Sequence, residues 1–89
     1  MNVVFDRSFS KSIDRVNSSA VRKKLESVIL SIEKAKTLHE IPGLKKMEGF
    51  KTFYRVRIGE YRLGMELVDG NIFRIIIIAN RKDIYRLFP

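Results

Sequence analysis

Apolar positions change their spacing along the chain, and each change predicts an element. Asn2 to Asp6 carries the run Val3-Val4-Phe5 and reads as a short strand. Phe9, Ile13 and Val16 then recur at spacings of four and three, one face of a helix, with Ser8 as its candidate N-cap. Asn17-Ser18-Ser19 interrupts that helix and can cap the next. From Ala20 to about Lys36, Val21, Leu25, Val28, Ile29 and Ile32 fall on one stripe, while Arg22, Lys23, Glu26, Glu33 and Lys34 fall elsewhere on the wheel. Two antiparallel helices are predicted, both laying their apolar stripes on a sheet.

Thr37 to Gly49 reads as a loop, with Pro42-Gly43 as a turn. The spacing then drops to two. Tyr54, Val56 and Ile58 share one strand face, and Phe53, Arg55 and Arg57 the other. After a tight turn at Gly59-Glu60, Tyr61, Leu63, Met65 and Leu67 share a face, and Arg62, Gly64 and Glu66 point away. If the apolar sets meet in one core, Arg55, Arg57 and Arg62 stand together on the outer surface. Asp69-Gly70 is a hairpin signal leading into Ile72 to Ala79, a β-branched run suited to an interior strand covered on both faces. Exposed, such a run invites aggregation. The helix pair can shield one face; the other needs the C-terminal segment or a partner. Lys82 to Leu87 can form a helical turn or two, with Ile84, Leu87 and Phe88 inward. The expected architecture is a single α+β domain over residues 1–89, ordered β-α-α-β-β-β. It has a mainly antiparallel four-stranded sheet, two N-terminal helices on one face and a short C-terminal helical tail.

Charge sharpens this picture. The chain has 18 basic and 10 acidic residues in 89, a net charge of +8, which calls for an anionic partner. Between Lys45 and Arg62 six basic residues (Lys45, Lys46, Lys51, Arg55, Arg57, Arg62) face two acidic ones, Glu48 and Glu60. Three arginines in one small area repel one another unless an anion lies between them, and the guanidinium fork suits phosphate. A solvated polar face of a half-buried sheet is the bland alternative. With no cysteine and one histidine, His39, the chain excludes disulfides, thiolate metal sites and two-histidine mechanisms. No secretory signal or membrane-length apolar run is seen, so a cytoplasmic protein is expected, with no membrane partner.

The hairpin Phe53-Tyr54-Arg55-Val56-Arg57-Ile58-Gly59-Glu60-Tyr61-Arg62-Leu63 is approached through Leu44-Lys45. With the Asp69-Gly70 turn and the ending Asn80-Arg81-Lys82-Asp83-Ile84-Tyr85, it resembles the RelE/ParE superfamily of bacterial toxins from type II toxin–antitoxin systems. The element order matches over essentially the whole chain. The resemblance, closest to the RelE branch, implies a toxin that cuts messenger RNA, typically in the ribosomal A site and without metal or other cofactor. The 2′-hydroxyl attacks the adjacent phosphate. It further implies a cognate antitoxin, met by the basic hairpin and an apolar sheet face, with operator DNA bound only as the toxin–antitoxin complex. By position, Arg55 and Arg57 match two basic strand residues, Arg62 an arginine on the scissile phosphate, Arg81 the arginine that protonates the leaving oxygen, and Tyr85 the tyrosine that orients a base. Lys45, Lys46, Lys51 and Lys82 would add grip on RNA.

One departure matters. Arg55 stands where the best-known member has a lysine as candidate base, and a guanidinium holds its proton to a pKa above ~12. Glu48, His39, ribosomal RNA, or alignment without a dedicated base are the alternatives. Two further readings compete with the nuclease: a ParE-like DNA gyrase inhibitor, and a passive basic module that only docks nucleic acid or antitoxin.

Overall fold

The computed structural model describes residues 1–89. Strand β1 (Asn2–Phe5) leads into helix α1 (Arg7–Ile13) and helix α2 (Ser19–Lys34), followed by a 3-10 turn at Leu38–Glu40. Strands β2 (Leu44–Lys46), β3 (Phe53–Ile58), β4 (Tyr61–Val68) and β5 (Ile72–Asn80) come next, and the short helix α3 (Ile84–Leu87) ends the chain. The sheet order is β1-β5-β4-β3-β2.

The sheet therefore has five strands, not four. The extra one, β2, lies in the stretch expected to be a loop and pairs antiparallel with β3. Leu44-Lys45-Lys46 holds a single apolar residue, too little for a period-two signal, and its lysines suit an edge strand that must not recruit another chain. β1 runs parallel to β5 while the other pairs are antiparallel, so the sheet is mixed.

α1 starts two residues earlier than the Ser8 cap predicts. Asp6 is the N-cap, its carboxylate accepting from the Ser8 N–H at 3.1 Å. Ser8 instead bonds across to the sheet. Its hydroxyl, whose one proton is shared between the Asp6 carboxylate and the Ile76 carbonyl 2.7 Å away, reaches β5, and one turn on the Ser12 hydroxyl accepts from the Ile78 N–H at 3.0 Å. β1 is paired only as far as Phe5↔Ile75. The two serines, on one helix face, take over where that strand stops.

The main core lies between the sheet and α1 and α2. Phe9, Val16, Leu25 and Ile32 meet Val56, Ile58, Leu63, Met65, Phe73, Ile75 and Ile78. The opposite sheet face has its own smaller cluster, Met47, Ala79, Ile84 and Phe88, with Phe53, Ile76 and Ile77 against it. The C-terminal segment is thus what covers the second face of β5. A bulge makes both packings possible: Gly64 is opposite Ile77 but Met65 is opposite Ile75, leaving Ile76 as an extra residue. Leu87 departs from expectation. α3 is a single turn, Ile84 and Phe88 share its inner face, and Leu87 turns outward, 49% exposed.

Candidate cationic site

The alternation of β3 and β4 delivers the arginines as the pattern requires. Arg57 is directly opposite Arg62, and Arg55 is opposite Gly64, on the face away from α1 and α2. Arg62 is the best anchored. Its Nη1 donates to the carbonyls of Gly59 and Tyr61, each at 2.9 Å, so the β3–β4 turn holds the guanidinium in place. Partial burial lowers its pKa, as do the nearby charges of Arg57, Arg55 and Arg81, while Tyr85 opposes the shift. Arg62 therefore sits amid all four of the other candidate residues.

The tail closes the cluster. The Arg81 N–H donates to the Glu60 carbonyl at 2.8 Å, and its Nε lies 3.0 Å from the Glu60 carboxylate. This two-point tie fixes the start of the tail to the β3–β4 turn. Tyr85, 63% exposed, places its ring 5.8 Å from the Arg55 guanidinium carbon, within cation–π range. Phe88 lies over Gly64: a Cβ there would come within 2.7 Å of the ring, so only glycine admits this packing. A bare patch on β4 thereby sets where Tyr85 stands.

The lysines are dispersed. Lys45 pairs with Arg55 and shares the arginine face, whereas Lys46, opposite Tyr54, belongs to the other face. Lys51 is exposed in the loop before β3, and Lys82 is exposed one residue beyond Arg81. His39 and Glu48 are exposed and take part in no ion pair. The carboxylate that does reach the cluster is Glu60, whose place at the turn between two arginine-bearing strands is a signal available in the sequence. Arg74 is basic but already committed, pairing with Asp6 and Glu66 at 2.9 Å each. No three or more His, Asp or Glu side chains come together in a way that could hold a metal ion.

Fold and site define a small, basic α+β domain with an arginine-rich surface flanked by an aromatic ring. No family model matches the chain. Toxin RelE3 of Methanocaldococcus jannaschii is 32% identical over 90 residues, spanning the whole of both proteins. A chain of the RelB–RelE antitoxin–toxin complex from Methanococcus jannaschii superposes with a TM-score of 0.77 at 31% identity, covering 97% of this chain and 99% of that one. A chain of the archaeal RelE–RelB complex from Pyrococcus horikoshii shares the fold, with a TM-score of 0.66 at 21% identity over 93% of this chain and 97% of its own. The chain belongs to the RelE family of toxins from type II toxin–antitoxin systems.

Proposed function

We propose that this toxin is a ribosome-dependent endoribonuclease that cuts messenger RNA without a metal ion and so inhibits translation in the cytoplasm. The observation that carries the reading is the arginine face itself: Arg57 directly opposite Arg62 with Arg55 one pair along, Arg81 tied to Glu60 at their turn, and Tyr85 against Arg55. In the reaction the ribose 2′-hydroxyl releases its proton to solvent as its oxygen bonds to phosphorus and the P–O5′ bond breaks; O5′ takes up a proton from Arg81, which is reprotonated from solvent, leaving a 2′,3′-cyclic phosphate and a free 5′-hydroxyl. Negative charge grows on the non-bridging oxygens, and donors fixed in advance stabilise it most. Arg62, clamped by two carbonyls, is the fixed donor, and Arg57 opposite adds a second charge. Arg81 gives a proton to the leaving O5′, and Glu60 on its Nε leaves the two Nη groups for the substrate. Tyr85 stacks on a splayed base, with Arg55 behind the ring. Arg55 is thus a positioning group, and alignment carries the attack on phosphorus. Lys45, Lys51 and Lys82, with Lys46 from the far face, hold the RNA backbone.

A cognate antitoxin keeps the toxin inactive, and the pair binds operator DNA as a complex. Two of the similar solved structures are toxin–antitoxin complexes. The apolar sheet face is closed by the tail, so the antitoxin's amphipathic helix meets a different surface: the shallow groove of Phe5, Phe9, Ile13, Leu25 and Ile29, rimmed by Arg22 and Glu26.

End-mapping of messenger RNA incubated with ribosomes and toxin tests the reading. Cyclic-phosphate ends are expected, with Arg62→Ala and Arg81→Ala each lowering cleavage by about 10²-fold or more. Loss of DNA supercoiling by gyrase with no RNA cleavage would replace the nuclease with a gyrase inhibitor.

A further inference from the structure

Phe50 is a large aromatic side chain, 43% exposed, in the loop between β2 and β3, and none of the roles above uses it. Residues 46–51 form an open hollow of about 470 Å³ there, with Lys46, Glu48, Phe50 and Lys51 among its walls. The loop is fixed at both ends of a tight turn. Met47 is buried with Ala79, Ile84 and Phe88, and its N–H donates to the Phe53 carbonyl at 2.8 Å. The Phe50 N–H donates to the Met47 carbonyl at 3.2 Å, closing a turn in which Gly49 takes a φ of 84°. The ring is therefore presented by an anchored backbone.

The packing places Phe50 on the arginine side of the sheet. Phe53, Arg55 and Arg57 alternate onto one face of β3. The Phe53 ring lies 5.5 Å from the Phe88 ring, and Phe88 covers Gly64, the residue paired with Arg55. The Phe50 ring is 5.7 Å from Phe53, at the end of that row. Two residues of strand span ~7 Å, so Phe50 stands on the order of 13 Å from Arg55.

We propose that Phe50 is a second stacking platform for messenger RNA. It takes a base a few nucleotides from the cut, beyond the one held by Tyr85, while Lys46 and Lys51 hold the adjoining phosphates. The inference rests on the nuclease reading above. Phe50 and Phe53 meet at 90°, and an edge-to-face contact occupies at most one face of either ring, so a face of Phe50 is left for a base. Lys46 and Lys51 are exposed and make no ion pair. An aromatic face between cationic side chains is how single-stranded RNA is gripped, and every base has a π-face to offer it. Glu48, also exposed and unpaired, repels a phosphate inside the hollow. The hollow thus suits the uncharged base and its lysine rim the backbone.

Ribosomes with a vacant A site, carrying messages in which one abasic residue is placed in turn at each nucleotide flanking the cut, test this. With wild-type toxin, the abasic residue at one position beyond the Tyr85 base should raise KM about tenfold and leave kcat unchanged. Phe50→Leu keeps apolar contact with Phe53 but has no π-face. It should raise KM to the same degree on the intact message, with no further loss on that abasic message and no change in urea midpoint. Phe50→Trp should recover the loss. A Phe50→Leu protein with the wild-type KM, as a ring serving only the antitoxin would give, overturns the platform and leaves the nuclease standing. So do losses from Phe50→Leu and the abasic residue that multiply at every position, as contact with ribosomal RNA would give. Absence of cleavage of any message by wild-type toxin overturns the nuclease and the platform together.

Discussion

Arg62 occupies a place that electrostatics disfavours, and the turn carbonyls hold it there. Arg57 stands directly across from it, and Arg55 and Arg81 add like charge. Sites built this way trade stability for function. Arg57→Ala removes one repelling charge at an exposed position, so the folded protein should hold its stability or gain up to about 0.5 kcal/mol. Cleavage should fall about tenfold or more as the second positive charge on the phosphate is lost. Urea denaturation beside an end-mapping assay reads both, and a clear loss of stability would show that Arg57 is a structural residue. The arginine face is legible from sequence because period-two alternation fixes parity once the apolar partners are known. The role of Glu60 is legible only in part: its place at the turn of the arginine hairpin is in the sequence, but its contact to Arg81 depends on where the tail returns, which no local pattern records.

At the scale of elements, the tail is positioned by an absence. Gly64 has no positive φ and no turn to make; it is glycine because Phe88 lies on it. Gly64→Ala would put a Cβ 2.7 Å from that ring, so the ring must move and α3 with it. Overpacking of this kind costs about 1–3 kcal/mol. Tyr85 rides on α3, so cleavage should drop as well, although residue 64 touches no substrate. Gly64→Ala combined with Phe88→Leu, which opens space above the strand, should recover part of both losses. A single Gly64→Ala variant with wild-type urea midpoint and activity would separate the tail from the site. The helices, the two hairpins and the interior strand can be read from spacing and turn residues. β2 cannot, for want of apolar residues, and neither can the bulge at Ile76, because four consecutive isoleucines give no polar mark of which side each faces. The outward turn of Leu87 belongs to the same class: one helical turn has too few residues to define a stripe.

For the molecule as a whole, acid is the revealing variable. Asp6 joins three elements: it caps α1, and through Arg74 and Glu66 it is tied to β5 and β4. Its carboxyl is held below the usual 3.8, chiefly by the Ser8 hydroxyl and N–H and further by Arg74. Glu40 is likewise held below 4.5 by the N–H groups of Lys36 and Thr37 and the Thr37 hydroxyl. Both carboxylates bind protons more weakly in the folded chain than in the unfolded one. Their contribution to stability is therefore complete above about pH 4.5 and is lost as pH falls through the lowered values. The net charge of +8 acts in the same direction, since each carboxylate neutralised adds to an existing positive excess. The melting temperature should hold steady from neutral pH down to about 5 and then fall steeply. Asp6→Asn should lower it at pH 7 and make the fall below pH 4 shallower, because the variant has already lost the group that acid removes. Parallel acid limbs for the two proteins would mean that Asp6 contributes by shape alone and that the fall comes from the remaining carboxylates and general repulsion.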